Sequence, residues 1–254
     1  MILFLLMQLE PVKGERVVVF DKDGAALAKA FDGIAARQEE VFGIKIRKFA
    51  LTFVEGRRVL VLPKPDKKIL ETGARWEIQW ARDLPRGDYL RHEVAHLLLL
   101  EAEVKEDARA KNPYGTALPD WMDEAAAVLA EESLVAEREA TLRSAVQKER
   151  LIPLKEFFTM HHPGHDEASG KVKDPSAKNL VFYAQCRGFP KFIEETYGLV
   201  VMHQMVKAAQ KGDDMNTVLD WMIKNRKKLK NPDGGLPDTI DALDADWRAW
   251  AATK

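Results

Sequence analysis

The chain has 254 residues, which fits one large domain or two closely packed ones. Hydrophobic residues make up 46% and charged residues 31%, so a sizeable core can form under a solvated surface. The formal net charge of −1 argues against a general affinity for nucleic acid or anionic membranes. The single cysteine, Cys186, excludes an internal disulfide, so stability must come from packing.

The apolar segment Ile2 to Met7 opens the sequence and is too short to span a bilayer. It fits a first strand, the remnant of a signal sequence, or an artificial chain end. If Met1 to Met7 is a signal remnant, the protein is secreted or periplasmic, and otherwise it is cytoplasmic. No integral membrane segment is expected in either case.

Residues 1–87 predict an α+β lobe built on a small mixed sheet. Val17 to Phe20 is a β-branched run typical of a strand, and Asp21 or Asp23 can cap the helix that follows. Apolar residues keep helical spacing up to Gly43, which can end this helix. Further strands are predicted at Ile44 to Phe53 and at Arg58 to Leu62. The alternation of Trp76, Ile78 and Trp80 with Glu77 and Gln79 indicates another strand, with a short helix as the alternative.

Residues 88–254 predict a mostly helical lobe of the same domain. Asp88 can cap a helix carrying Leu90 to Val104, and Pro119 precedes a second helix that starts near Asp120. Met160 to Lys178 is polar and predicts a loop. A helix through Tyr183 should kink or restart at Pro190 and end at Gly198, and the last helix holds Trp247 and Trp250.

An H-E-x-x-H motif lies on the first helix of this second lobe, at His92-Glu93-Val94-Ala95-His96. Two histidines four residues apart share one helix face and can bind one zinc ion. Glu93 can then reach a water on the open side of the metal and act as general base. A catalytic zinc needs a third protein ligand. Glu124 follows His96 by 28 residues on the next helix, and spacing alone does not separate it from the neighbouring Asp123.

The segments "LRHEVAHLLL" and "LPDWMDEAAAVLAEE" resemble the gluzincin metallopeptidases, most of all the bacterial peptidase-MA-like group, and are distantly similar to thermolysin and aminopeptidase N. In that group a W-x-x-E-G-x-A segment provides the glutamate ligand. Trp121, Glu124 and Ala127 match it, while Ala125 stands where glycine is usual. The resemblance implies a zincin-like fold, one Zn²⁺ ion held by His92, His96 and Glu124, and an active site between the lobes.

The segment "FYAQCRGFPKFIEETYG" resembles the family's Y-A-Q-S helix, and "LDADWRAW" resembles its final helix. By this resemblance Tyr183 stabilises the oxyanion. The sequence lacks the G-x-M-E-N strand by which aminopeptidases grip an amino terminus; "RWEIQWARD" stands in its place. The resemblance therefore implies an endopeptidase acting on a peptide or protein substrate.

Two further sets of residues are candidates for contact with substrate. If Trp76, Ile78 and Trp80 form an exposed sheet edge beside the metal helix, an extended peptide can pair with it. His161, His162 and His165 in "HHPGHDE" fit a second metal site, the mouth of the active site with a histidine aiding the oxyanion, or a polar surface loop.

Two functions compete with peptidase activity. The chain could be a non-catalytic, peptidase-like binding module whose metal is structural or vestigial, or a metal hydrolase acting on a non-peptide amide. The intact Glu93 favours an active enzyme, because a purely structural metal site has no need of a base.

Overall fold

The computed structural model describes residues 10–56, 59–103, 118–161 and 175–254. The predictions on Met1 to Met7, Arg58, His162 and His165 lie outside these residues. The strands are β1 (Val12–Lys13), β2 (Val17–Phe20), β3 (Phe49–Val54), β4 (Leu60–Leu62) and β5 (Trp76–Ala81). The helices are α1 (Gly24–Phe42), α2 (Lys67–Leu70), α3 (Asp88–Glu103), α4 (Asp120–Ala130), α5 (Val135–Gln147), α6 (Leu154–Phe157), α7 (Pro175–Thr196), α8 (Leu199–Lys211), α9 (Met215–Lys224) and α10 (Ile240–Ala251).

The five strands form one mixed sheet in the order β1-β2-β3-β5-β4. The three inner strands β2, β3 and β5 are parallel, and the two edge strands are antiparallel to their neighbours. Helix α1 makes the crossover between β2 and β3, as a parallel connection requires. The chain is thus a mixed α+β protein with its small sheet near the start, and every described element from α3 onward is helical.

Strand β5 lies inside the sheet, so the predicted exposed edge at Trp76, Ile78 and Trp80 is wrong. It pairs with β3 on one side and with β4 on the other, and all three side chains are fully buried. The alternation was misleading because Glu77, on the other face, is also buried. Its Oε1 accepts hydrogen bonds from Thr52 Oγ1 at 2.7 Å and from Gln79 Nε2 at 3.1 Å. These aromatic residues therefore support the sheet core and offer no backbone edge to a peptide.

The next two predicted strands, β3 and β4, do not pair with each other. Strands β3 and β4 follow one another around Glu55 and Gly56, but β5 lies between them in the sheet. Strand β3 begins at Phe49, five residues later than predicted. Within the described chain β4 pairs only with β5, so β4 is the sheet edge on this side.

Helix α1 ends where the sequence predicts. Gly43 adopts the left-handed conformation with φ 66°, and its N–H donates to Glu39 O at 3.0 Å. At its start, Asp23 is the capping residue but makes no side-chain cap bond. Asp21 instead turns its buried carboxylate to Asp23 N–H at 3.0 Å and to Arg86.

Helix α3 carries the H-E-x-x-H motif and packs on the sheet through Leu90, Val94 and Leu98, which belong to the same core as β5. Asp88 does not cap this helix, contrary to prediction. Its carboxylate accepts hydrogen bonds from Glu132 N–H at 2.9 Å and Ser133 N–H at 2.7 Å, in the loop that follows α4. The residue therefore ties the beginning of α3 to the end of α4.

The remaining helices enclose a second core around α4, α7 and α10. Trp121 from α4, Phe189 and Phe192 from α7, and Trp247 from α10 are all buried in it. Helix α7 runs through Pro190, so the restart that was one of the two predicted outcomes does not occur, although proline costs the helix one backbone hydrogen bond. Buried aromatic residues on both sides of Pro190 pack in the same core. None of the described helices combines the length and apolar character needed to cross a membrane.

Candidate metal centre

Two helices bring the predicted ligands together. His92 and His96 lie one turn apart on α3, and Glu124 lies on α4, which packs against α3. The two Nε2 atoms are 3.2 Å apart. Glu124 Oε2 lies 3.6 Å from His92 Nε2, and its Oε1 lies 3.7 Å from His96 Nε2. One donor atom from each residue falls within 4.8 Å of the others.

These separations suit a single small cation. Nitrogen and oxygen ligands bind zinc at about 2.0–2.2 Å, so two ligands of a tetrahedral ion lie roughly 3.3–3.6 Å apart. The observed distances between donor atoms are close to that spacing. Two imidazoles and one carboxylate leave a fourth position open, which is the arrangement of catalytic zinc sites.

The opposite ring nitrogen of His92 is held by a buried carboxylate. His92 Nδ1 lies 3.0 Å from Glu131 Oε1, and Arg138 Nε donates to Glu131 Oε2 at 3.1 Å. Burial would raise the pKa of Glu131, but its bonds to His92 and Arg138 outweigh burial and lower it. Glu131 is therefore an acceptor that orients the His92 ring for ligation through Nε2.

His96 has a similar neighbour in Asp123. Its Nδ1 lies 3.0 Å from Asp123 Oδ1, a close contact that is an ion pair when the ring is protonated. Burial would lower the pKa of His96, yet the negative charges of Asp123, Glu124 and Glu93 raise it to about 9. Asp123, the rival ligand on spacing alone, thus lies behind the imidazole, and Glu124 faces the two Nε2 atoms.

The proton arrangement of this site favours a bound cation. Glu131 beside His92 Nδ1 and Asp123 beside His96 Nδ1 favour a proton on the Nδ1 of each ring, because an ionised carboxylate only accepts hydrogen bonds. Both Nε2 lone pairs then point at one another and at the buried Glu124 carboxylate. Such a concentration of electron pairs is repulsive unless a proton or a metal ion lies between them. The donor set therefore fits zinc, which prefers imidazole nitrogen and carboxylate oxygen.

The two predicted catalytic side chains lie beside this group. Glu93 is half-buried on α3, and its charge contributes to the raised pKa values of both His96 and Tyr89. The ring of Tyr183 lies 6.4 Å from that of His92, centroid to centroid. Burial and the nearby Glu124 raise the pKa of the Tyr183 phenol well above its usual value, so it remains a hydrogen-bond donor throughout the neutral range.

Of the histidine-rich segment, only His161 can be placed. Its side chain is 80% exposed, and its Nδ1 lies 3.7 Å from Asp120 Oδ2 at the start of α4. It does not belong to the His92, His96 and Glu124 group. The predicted loop ends earlier than Lys178, because α7 already begins at Pro175.

Sequence reasoning missed Glu131 and Arg138. Glu131 follows Glu124 by seven residues, two helical turns on the same face, and this periodicity is the signal that could have identified it. Arg138 lies beyond a loop on α5, and its guanidinium also stacks on the Tyr183 ring at 4.9 Å. That contact depends on how α5 packs on α7, which local sequence does not reveal.

None of the protein families, curated proteins or solved structures compared with this chain matches it. The resemblance to gluzincins thus depends on the motif segments themselves.

Proposed function

We propose that this protein is a zinc-dependent peptidase, most simply an endopeptidase, with a zincin-like fold. The observation that carries the proposal is the meeting of His92 Nε2, His96 Nε2 and the Glu124 carboxylate around one small space. A mixed sheet before the H-E-x-x-H helix, and a second helix that supplies the glutamate, support the fold assignment.

Each side chain near the proposed metal has its own role in the proposed hydrolysis. When bound, zinc would supply a Lewis acid that activates water and polarises the scissile carbonyl. Glu93 takes the proton from the attacking water and returns it to the leaving amine. Tyr183 donates to the carbonyl oxygen as negative charge develops on it. Glu131 and Asp123 hold the imidazoles in the orientation that the reaction requires.

The test separates chemistry from metal binding. Glu93→Gln keeps the shape of the side chain but removes the base, so we expect unchanged zinc content and a loss of peptide cleavage of about 10²–10⁴-fold. Zinc content is measured by elemental analysis and cleavage with a broad peptide library, beside the parent protein. Glu132→Gln, on the exposed loop after α4, is the matched control and should cleave normally.

The outcomes of this experiment also decide between the alternatives. Equal cleavage by Glu93→Gln and the parent would show that Glu93 is not the base. If both proteins hold zinc and neither cleaves any peptide, the chain is a binding module or acts on a different amide.

A further inference from the structure

A second concave site is lined by Arg138, whose guanidinium also donates to Glu131 beside the metal centre. It is a cavity of about 590 Å³ between α5, α7 and α10, with Arg37 of α1 and Lys230 at its rim. This volume falls in the range of small-molecule sites, roughly 300–1,000 Å³. Its apolar wall includes Leu142 and Trp250.

The charge of this cavity is strongly positive in a chain whose net charge is −1. Seven basic and three acidic side chains line it, a formal excess of four positive charges. Arg138 is ion-paired with Glu131, which does not line the cavity. Without the charge of Arg138, the excess is three positive charges. The positive charge is thus a local feature, and general surface composition does not account for it.

Most of the acidic side chains here are already paired. Glu194 binds Arg37 at 2.6 Å, and Glu195 accepts from Lys254 at 2.7 Å and from the Trp250 indole at 2.8 Å. In the described part of the chain, the other rim cations Arg143, Lys191 and Lys230 form no salt bridge. Their charges are therefore available to a ligand.

Arg187 is one of the more buried cations that line the cavity. It is half-buried, and among the residues that the structure describes its guanidinium donates one hydrogen bond, from Nη1 to Val128 O at 2.8 Å. Burial lowers its pKa more than the nearby Glu131 and Glu139 raise it. A guanidinium has five N–H donors, so most of those on Arg187 remain for an anion that would also compensate its burial.

We propose that this cavity binds a phosphate-bearing small molecule through Arg143, Arg187 and Lys191. Guanidinium groups match phosphate oxygens in pairs. An excess of three or four charges favours a polyvalent anion over a single carboxylate, and Leu142 and Trp250 offer an apolar surface to the organic part. The site does not depend on the proposed peptidase activity.

Calorimetric titration of the full chain with inorganic pyrophosphate, at constant ionic strength set by sodium chloride, tests the proposal. We expect saturable binding that Arg187→Gln weakens about tenfold or more, because each charged hydrogen bond lost costs at least that factor. Lys191→Gln combined with Arg143→Gln should weaken it similarly. These two side chains are exposed, so this double variant decides the question if Arg187→Gln does not fold by circular dichroism.

Two controls locate the binding. Lys207→Gln removes an exposed charge on α8, outside the cavity, and His92→Ala removes a metal ligand. Both should bind pyrophosphate as the parent does. The proposal is overturned if the parent does not bind at millimolar pyrophosphate, if Lys207→Gln weakens binding as much as the cavity variants do, or if His92→Ala abolishes binding that Arg187→Gln retains.

Discussion

At the scale of single residues, the metal centre is defined by which nitrogen of each histidine is left free. Glu131 and Asp123 occupy the Nδ1 sides, and Glu124 faces the Nε2 sides. The same charges that attract a metal also attract a proton, so the two compete for His96. This competition gives the site a measurable pH dependence.

Zinc affinity should rise with pH up to about 9. The pKa of His96 is raised from 6.5 to about 9 in the metal-free protein, and zinc needs the unprotonated ring. Each unit of pH below 9 should therefore weaken binding about tenfold, as measured with a chelator competition series.

The stability of the metal-free fold should depend on pH in the opposite direction. Protonated His96 stabilises this fold fully below pH 6.5, and the stabilisation is lost as pH rises through about 9.

Asp123→Asn is the matched variant, because it removes the leading charge that raises the His96 pKa while preserving shape. Its affinity should reach a plateau at a lower pH. Affinity that is flat between pH 7 and 9 in both proteins would mean that His96 is already neutral there.

Tyr183→Phe addresses the oxyanion at the same scale. It deletes the donor and keeps the ring that packs beside His92 and under Arg138. We expect turnover to fall about 10²–10³-fold, as for the loss of one oxyanion donor, with zinc content and stability little changed. Steady-state kinetics and elemental analysis measure these effects. The role would belong to the histidine-rich segment under a different outcome. In that case Tyr183→Phe would turn over normally, and substitution of His161, His162 or His165 would abolish turnover without loss of metal.

At the scale of elements, the end of α1, the start of α4 and the metal helix could be predicted from sequence, because they depend on local chemistry. Gly43 ends α1 through its left-handed backbone, and Pro119 precedes α4, as expected. The position of β5 could not be predicted. Its Glu77 is buried with a hydrogen-bonded partner on β3, so its pattern is that of a half-exposed strand although it lies in the sheet interior. Only the order of the strands in the sheet, which depends on long-range contacts, distinguishes an interior strand of this kind from a half-exposed one.

The same limit applies to Glu131 and Arg138, whose roles come from the packing of α4, α5 and α7. The close approach of α5, α7 and α10 at Gly188 gives an element-scale prediction. A Cβ at Gly188 would lie 2.9 Å from Leu142 Cδ2 and 3.0 Å from Trp247 Cη2. Leu142 can rotate, but Trp247 is fixed among buried aromatic rings. Gly188→Ala should therefore destabilise the fold by about 1–3 kcal/mol, although alanine is the better helix former.

Gly33→Ala on α1 is the matched control, since nothing lies within 4 Å of the new Cβ. It should stabilise the fold by about 0.4–1 kcal/mol. Urea denaturation measures both changes in the free energy of unfolding. A Gly188→Ala variant as stable as Gly33→Ala would show that α5, α7 and α10 yield easily at this point.

At the scale of the whole molecule, the candidate ligands come from two helices that pack mainly in different cores. Helix α3 packs on the sheet core through Leu90, Val94 and Leu98 and adds only Leu99 to the helical core, whereas α4 contributes Trp121 and Met122 to the helical core. A metal bound by His92, His96 and Glu124 would therefore link the two cores. Binding to the native state alone adds stability that depends on metal concentration.

Zinc should accordingly raise the temperature of unfolding. At a free zinc concentration 100 times the Kd, the added stability is about 2.7 kcal/mol. For a chain of this size that corresponds to an increase on the order of 5–10 °C, measured by calorimetry with and without a chelator. The increment should persist in Glu93→Gln, which retains the ligands, and disappear in Glu124→Ala. Glu124 is buried, so its loss also changes the stability of the metal-free protein. The increment is therefore taken within each variant, as the difference between its unfolding temperatures with and without zinc. An equal increment in Glu124→Ala and the parent would place the stabilising zinc elsewhere on the chain, and no increment in either would show that the two cores are not joined by a metal.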